Sequence, residues 1–213
     1  LLVMSEMSIP ILLSVIGAGL FVATIIGFVR WRRWQQQVAT WEDFANRNDW
    51  TIRVTPGFMY STGTLEMQGR DQGIPVSLLT EHRDFGRHWH VVTILRLPLG
   101  DVVPPGLSVK PSRMGPMMSK FFGVEDEKVG DAALDDALVL QHVTPAVRAL
   151  FFKPGVKGPL LKLGRACSNF SIESGTLTVE QMDVPRTPVE LEGFMSPGLG
   201  LARALRTHAN RPL

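Results

Sequence analysis

Cysteine is nearly missing from this chain: Cys167 is the single one among 213 residues. An internal disulfide is therefore excluded, and so are the paired-cysteine patterns of zinc sites and of dithiol redox motifs. A lone thiol suits a reducing compartment. Charge asymmetry is equally scarce. The formal net charge is +2, and three positive residues, Arg30, Arg32 and Arg33, lie together. Setting aside residues 1–33 removes three of 22 basic groups and one of 20 acidic groups, leaving 19 of each. A neutral domain gives no electrostatic ground for nucleic-acid binding, and none is expected.

Catalytic signatures are also sparse. No GxSxG elbow surrounds Ser168 or Ser171. The strings HRD and DFG occur in EHRDFGRHWH (81–90), but they overlap on Asp84, whereas a kinase needs them as separate elements. The acidic segment Glu125, Asp126, Glu127, Asp131, Asp135 and Asp136 lacks the alternation and the closing glutamate of an EF-hand loop, so turn capping and solvated charge are expected of it.

What the chain does have is one long uncharged run. Residues 9–29 read IPILLSVIGAGLFVATIIGFV. As a helix these residues span about 31 Å, the thickness of a hydrocarbon core. A cleaved signal peptide carries its basic region before the apolar run; here the basic cluster follows it. The expected organisation is a tail at 1–8, a transmembrane helix at 9–29, an amphipathic juxtamembrane helix at 30–48 and a soluble domain at 49–213. Arg30, Arg32 and Arg33 then place the domain on the cytoplasmic face of the inner membrane. Gly19, Ala23 and Gly27 form a small-residue row on one face, which permits close approach of another membrane helix. All five histidines lie outside the run, so the anchor offers no imidazole to a haem, and no cofactor is expected.

Beyond the anchor, Trp31, Trp34, Val38, Trp41 and Ala45 recur at alternating steps of three and four. Such a stripe packs on its own domain, lies on the membrane surface or meets a partner. From Trp50 onward the period becomes two. TIRV (51–54), GTLEMQ (63–68), IPVSLLT (74–80) and WHVVTILRL (89–97) read as strands, with turns at 69–73 and 83–87. DALVLQHV (136–143) reads as another strand, and SNFSIES with TLTVEQM as a hairpin about Ser174–Gly175. Thr144–Pro145, Gly158–Pro159 and Ser196–Pro197 read as helix starts, Thr187 to Glu190 as a capping box, and 112–122 as a short helix rich in Met and Phe. The fold class is α+β: a transmembrane helix plus a mainly antiparallel sheet with flanking helices.

The order of a membrane anchor and helix, a GTL hairpin region, GVEDEKVGDAALDDALVLQ, a PAVRAL helix and a SIESGTLTV hairpin resembles uncharacterised bacterial membrane-anchored proteins. The resemblance covers roughly residues 35–208 and departs at Leu134–Asp135, where an aromatic is usual. It implies a bacterial, tethered domain and no particular activity.

Two further groups bear on function. His88 and His90 share a strand face by spacing, and His82, Glu81 or Asp84 returning across the hairpin would complete a metal site. Met114, Met117, Met118, Phe121 and Phe122 form a soft apolar cluster suited to the core or to a partner. The leading expectation is a non-enzymatic accessory subunit of a larger membrane complex, energy-transducing, transport or envelope, whose partners are the lipid bilayer and integral membrane proteins. The alternatives are a tethered lipid- or ligand-binding module and a metal-dependent enzyme built on His82, His88 and His90.

Overall fold

The structure, a computed structural model, describes residues 8–57, 63–84, 86, 89–104, 106–112 and 127–209. The cluster at Met114 to Phe122 falls outside them, as do Glu125, Asp126 and His88.

One helix, α1 (Ser8–Arg47), begins the chain and continues without a break through both the apolar run and the tryptophan stripe. No proline or glycine occurs between Phe28 and Arg47, so nothing interrupts the backbone ladder between the apolar run and the domain. Eight strands follow: β1 (Thr51–Thr55), β2 (Thr64–Asp71), β3 (Ile74–Asp84), β4 (Trp89–Pro98), β5 (Ser108–Pro111), β6 (Leu138–Gln141), β7 (Asn169–Glu173) and β8 (Thr176–Met182). They form one antiparallel sheet in the order β1-β2-β3-β4-β8-β7-β5-β6. The other α-helices among the described residues are α2 (Ala132–Ala137), α3 (Pro145–Phe152), α4 (Pro154–Ala166) and α5 (Pro188–Ala209). The α+β class and the antiparallel sheet are thus as the strand periodicity indicated.

Two tight hairpins fix the register. Gln72 and Gly73 both have positive φ (49° and 82°), as do Ser174 and Gly175 (49° and 70°). Paired positive φ values are those of a type I′ turn, whose twist matches the flanking strands. The first turn therefore occupies two residues, and β2 extends to Asp71, past the turn expected to begin at Gly69.

One face of the sheet carries Leu65, Met67, Leu78, Leu95, Leu97, Val179 and Ile172, all fully buried under the helices. Helix α5 lies on it so closely that a methyl group on Gly198 would stand 3.1 Å from Leu95 and 3.4 Å from Val179. The other face is polar. Arg83 on β3 makes a two-armed ion pair (2.7 and 2.9 Å) with Glu180 on β8, which also accepts from Asn169 on β7 at 2.6 Å. Since β4 lies between β3 and β8, this pair crosses it, and Val92 and Ile94 on β4 are buried.

Three expected boundaries move. Helix α4 begins at Pro154, four residues before Gly158, and α5 begins at Pro188, not Ser196; Pro159 and Pro197 lie inside their helices. A proline ring crowds the carbonyl four residues earlier, and in both helices that residue is a glycine, Gly155 or Gly193, which yields most easily. The strand expected from Asp136 starts at Leu138, because Asp131 caps α2 by accepting from the amides of Ala133 and Leu134.

Candidate functional site

The most unusual surface is the first half of α1. From Leu13 to Val29 its apolar side chains, Ile16, Leu20, Phe21, Val22, Ile25 and Ile26 among them, are exposed. It is one helix long and apolar enough to cross a membrane, with none of its most apolar stretch buried in the protein. Leaving so many large aliphatic groups in water is costly, at about 25 cal/mol per Å² of apolar surface, and contiguous patches of this size mark membrane or partner contact. The hydroxyl of Thr24 donates to the carbonyl of Leu20 at 2.8 Å, so that polar group within the run is satisfied by its own helix. Methyl groups built on Gly19 or Gly27 would meet nothing within 4 Å, so the row they form with Ala23 is open.

At the end of the run an aromatic and cationic edge forms. The rings of Phe28 and Trp31 are 6.1 Å apart, and the guanidinium of Arg32 lies 5.8 Å from the Phe28 centroid. Trp31 is 57% exposed. Arg30, Arg32 and Arg33 are exposed beside it. This combination of indole and guanidinium groups is the chemistry of a membrane–water interface.

The rest of the tryptophan stripe has another destination. Trp41 is completely buried and its indole N–H donates to the carbonyl of Pro185 at 3.4 Å. The neighbouring Thr40 hydroxyl donates to the carbonyl of Arg186 at 2.8 Å. Trp34 and Val38 pack on the same core, joined by Phe44 and Ala45. Trp34 and Trp41 thus pack on their own domain, one of the three destinations the stripe allowed, while Trp31 stays exposed. The physical reason is that, among the described residues, α1 is the helix that packs on β1 and β2 and so covers their apolar face.

His82 and His90 do not converge. His90 stands opposite Arg83 in the β3–β4 register and His82 opposite Val91. Directly paired residues share a face and alternate along each strand, so His82 and His90 lie on opposite faces of the sheet. Among the described residues no group of three His, Cys, Asp or Glu side chains could hold a metal ion. His88 lies outside them. The acidic segment caps turns: Asp135 accepts from the amides of Val129 and Gly130, and Glu127 from those of His142 and Val143. Asp131 pairs with Lys157, which holds its carboxyl below the ordinary range, aided by the amides it caps.

A feature without a sequence signal is an open groove of about 470 Å³ where β8 ends beside α5, lined by Cys167, Glu180, Met182, Glu190, Gly193 and Phe194. Cys167 is buried at its edge, and burial pushes the thiol pKa up, away from nucleophilic character. Comparison with protein-family models, with curated proteins and with solved structures finds no match to this chain.

Proposed function

We propose that this chain is a non-enzymatic accessory subunit of a larger membrane complex, tethered by one transmembrane helix at residues 9–29 with its α+β domain on the cytoplasmic side. The observation that carries the reading is that α1 is apolar and exposed from Leu13 to Val29, yet runs unbroken into the domain core at Trp41. The same continuity argues against a removable signal. Cleavage would have to fall in a helix whose next turns, from Trp34 to Ala45, complete the hydrophobic core. The positive cluster Arg30, Arg32 and Arg33 supports the cytoplasmic orientation. The open row Gly19, Ala23 and Gly27 supports an integral membrane protein as the partner.

The test uses the full chain in bacterial cells. It should resist extraction from membranes by alkaline carbonate, and a reporter fused after Leu213 should work only in the cytoplasm. In mild detergent it should migrate with stoichiometric partners, and Gly19→Leu with Gly27→Leu should release them. A lone monomer in detergent, or release by carbonate, overturns the proposal.

One observation favours a second reading, a tethered module for a lipid headgroup or small ligand: the groove between β8 and α5 is open and lined by both carboxylates and apolar groups. A small molecule recovered stoichiometrically from the purified, partner-free chain would select it.

A further inference from the structure

The hairpin of β3 and β4 is longer than the strands beside it. The paired register of β2 with β3 begins at Glu66↔Leu79, and that of β4 with β8 ends at Thr93↔Gln181. The β3–β4 pairing nonetheless continues through Glu81↔Val92, His82↔Val91 and Arg83↔His90 to Asp84↔Trp89. Asp183 still bridges to Val92 and donates its N–H to the Val91 carbonyl, so it is the last two pairs that form a two-stranded ribbon past the pairings of the other described residues. A bare ribbon is marginal in water, and this one presents Trp89 at 71% exposure.

Its position relative to the anchor follows from two contacts and one register. Trp34 lies over Gly63, where a methyl group would meet its ring at 2.6 Å, and Trp50, just past the end of α1, lies over Gly69. The domain-packed part of α1 and β2 therefore run in the same direction. The N-terminal direction of α1, toward the apolar run, is the C-terminal direction of β3. Gly63 precedes Glu66 by three residues and Asp84 follows Leu79 by five, so the ribbon's end overshoots Gly63 by two residues. At about 3.3 Å per residue that is about 7 Å toward the anchor. Trp34 itself is five residues past Val29, or about 7.5 Å along the helix. The two distances nearly cancel, which brings Trp89 to the level of Val29, the hydrocarbon edge. A helix tilt of about 20° acting over the lateral offset of about 15 Å moves it by about 5 Å, still within a headgroup layer about 5–8 Å deep.

We propose that Trp89, at the described end of the β3–β4 pairing, is a second membrane contact, seated in the lipid headgroup layer beside the anchor. The inference rests on the transmembrane reading of α1. It adds that the domain touches the bilayer at two points and is held in one orientation. Indole suits this place, since its apolar body and N–H donor match a layer that is part hydrocarbon and part polar. The alternating face also fits: Trp89 pairs with Asp84 and so lies on the sheet face that carries α1, beyond the reach of the helical layer.

The experiment places one environment-sensitive thiol label at a time on the full chain, in a Cys167→Ser background, at Trp89→Cys, Trp31→Cys or Asp101→Cys. Asp101 is exposed and follows the opposite end of β4. Each labelled chain is reconstituted in phosphatidylcholine vesicles containing lipid with a headgroup nitroxide. Quenching at 89 should match that at 31 and exceed that at 101 several-fold. Quenching at 31 with position 89 behaving like 101 overturns the second contact and leaves the anchor standing. Absence of quenching at 31 overturns the anchor and this inference together.

Discussion

The indole of Trp34 occupies the space that a side chain on Gly63 would need. A methyl group there would lie 2.6 Å from its ring and 2.2 Å from the carbonyl of Thr55. This contact joins the end of the exposed helix to the edge of the sheet, and it makes the helix and the domain one mechanical unit.

Gly63→Ala should therefore strain both neighbours, of which the Thr55 carbonyl is backbone and cannot swing away. The expected loss is about 1–3 kcal/mol of stability, as for overpacking elsewhere. Denaturant unfolding in detergent measures it; a change within experimental error would show that Trp34 is not seated as described.

Trp41→Ala should cost about 3–5 kcal/mol, since it empties a fully enclosed site, whereas Trp31→Ala should barely alter the fold. The comparison is by denaturant midpoint in the same detergent. Equal effects would mean that the stripe is not divided between domain and membrane edge.

Fragments make the same point without membranes. A fragment from Arg33 retains Trp34, Trp41, Phe44 and Ala45 and should fold cooperatively. One from Ala45 loses three of these core residues and should be molten or aggregated. Near-ultraviolet circular dichroism distinguishes the two, and a well-folded shorter fragment would contradict the packing of α1.

Asp131 gives a pH signature. Its pairing with Lys157 lowers its folded pKa, so the stability it supplies is present above its unfolded value and lost as pH falls through the folded one. Asp131→Asn keeps the helix cap but loses the pair. Wild type should exceed the variant in stability at pH 7, with the gap closing in acid. A gap that is constant or widens on acidification would show that the carboxylate is not held by the lysine.

Cys167, buried with a raised thiol pKa, should react slowly with a maleimide at neutral pH and become fully reactive in denaturant. Rapid labelling of the native chain would show that the thiol is not buried at the groove's edge.

Chain-local chemistry determined a good deal. The 21-residue apolar run, the cations that end it, the alternation from Thr51 onward and the Ser174–Gly175 turn each depend on residues a few positions apart. Such patterns show helix, strand and hairpin without reference to the rest of the molecule. Helix starts were less legible. A proline signals a beginning at Pro145 and an interior at Pro159 and Pro197, and the difference lies in a glycine four residues back and in packing against the sheet.

Tertiary structure alone decided the rest. Heptad spacing shows that Trp31, Trp34 and Trp41 share a stripe but not what covers it; only the uncovered β1–β2 face sends Trp34 and Trp41 into the core and leaves Trp31 outside. Spacing likewise allowed His82 and His90 to meet, and strand pairing set them on opposite faces, because register is a relation between segments that no single segment encodes. The level of Trp89 relative to the apolar run depends on an unbroken helix, a glycine contact and that same register acting together.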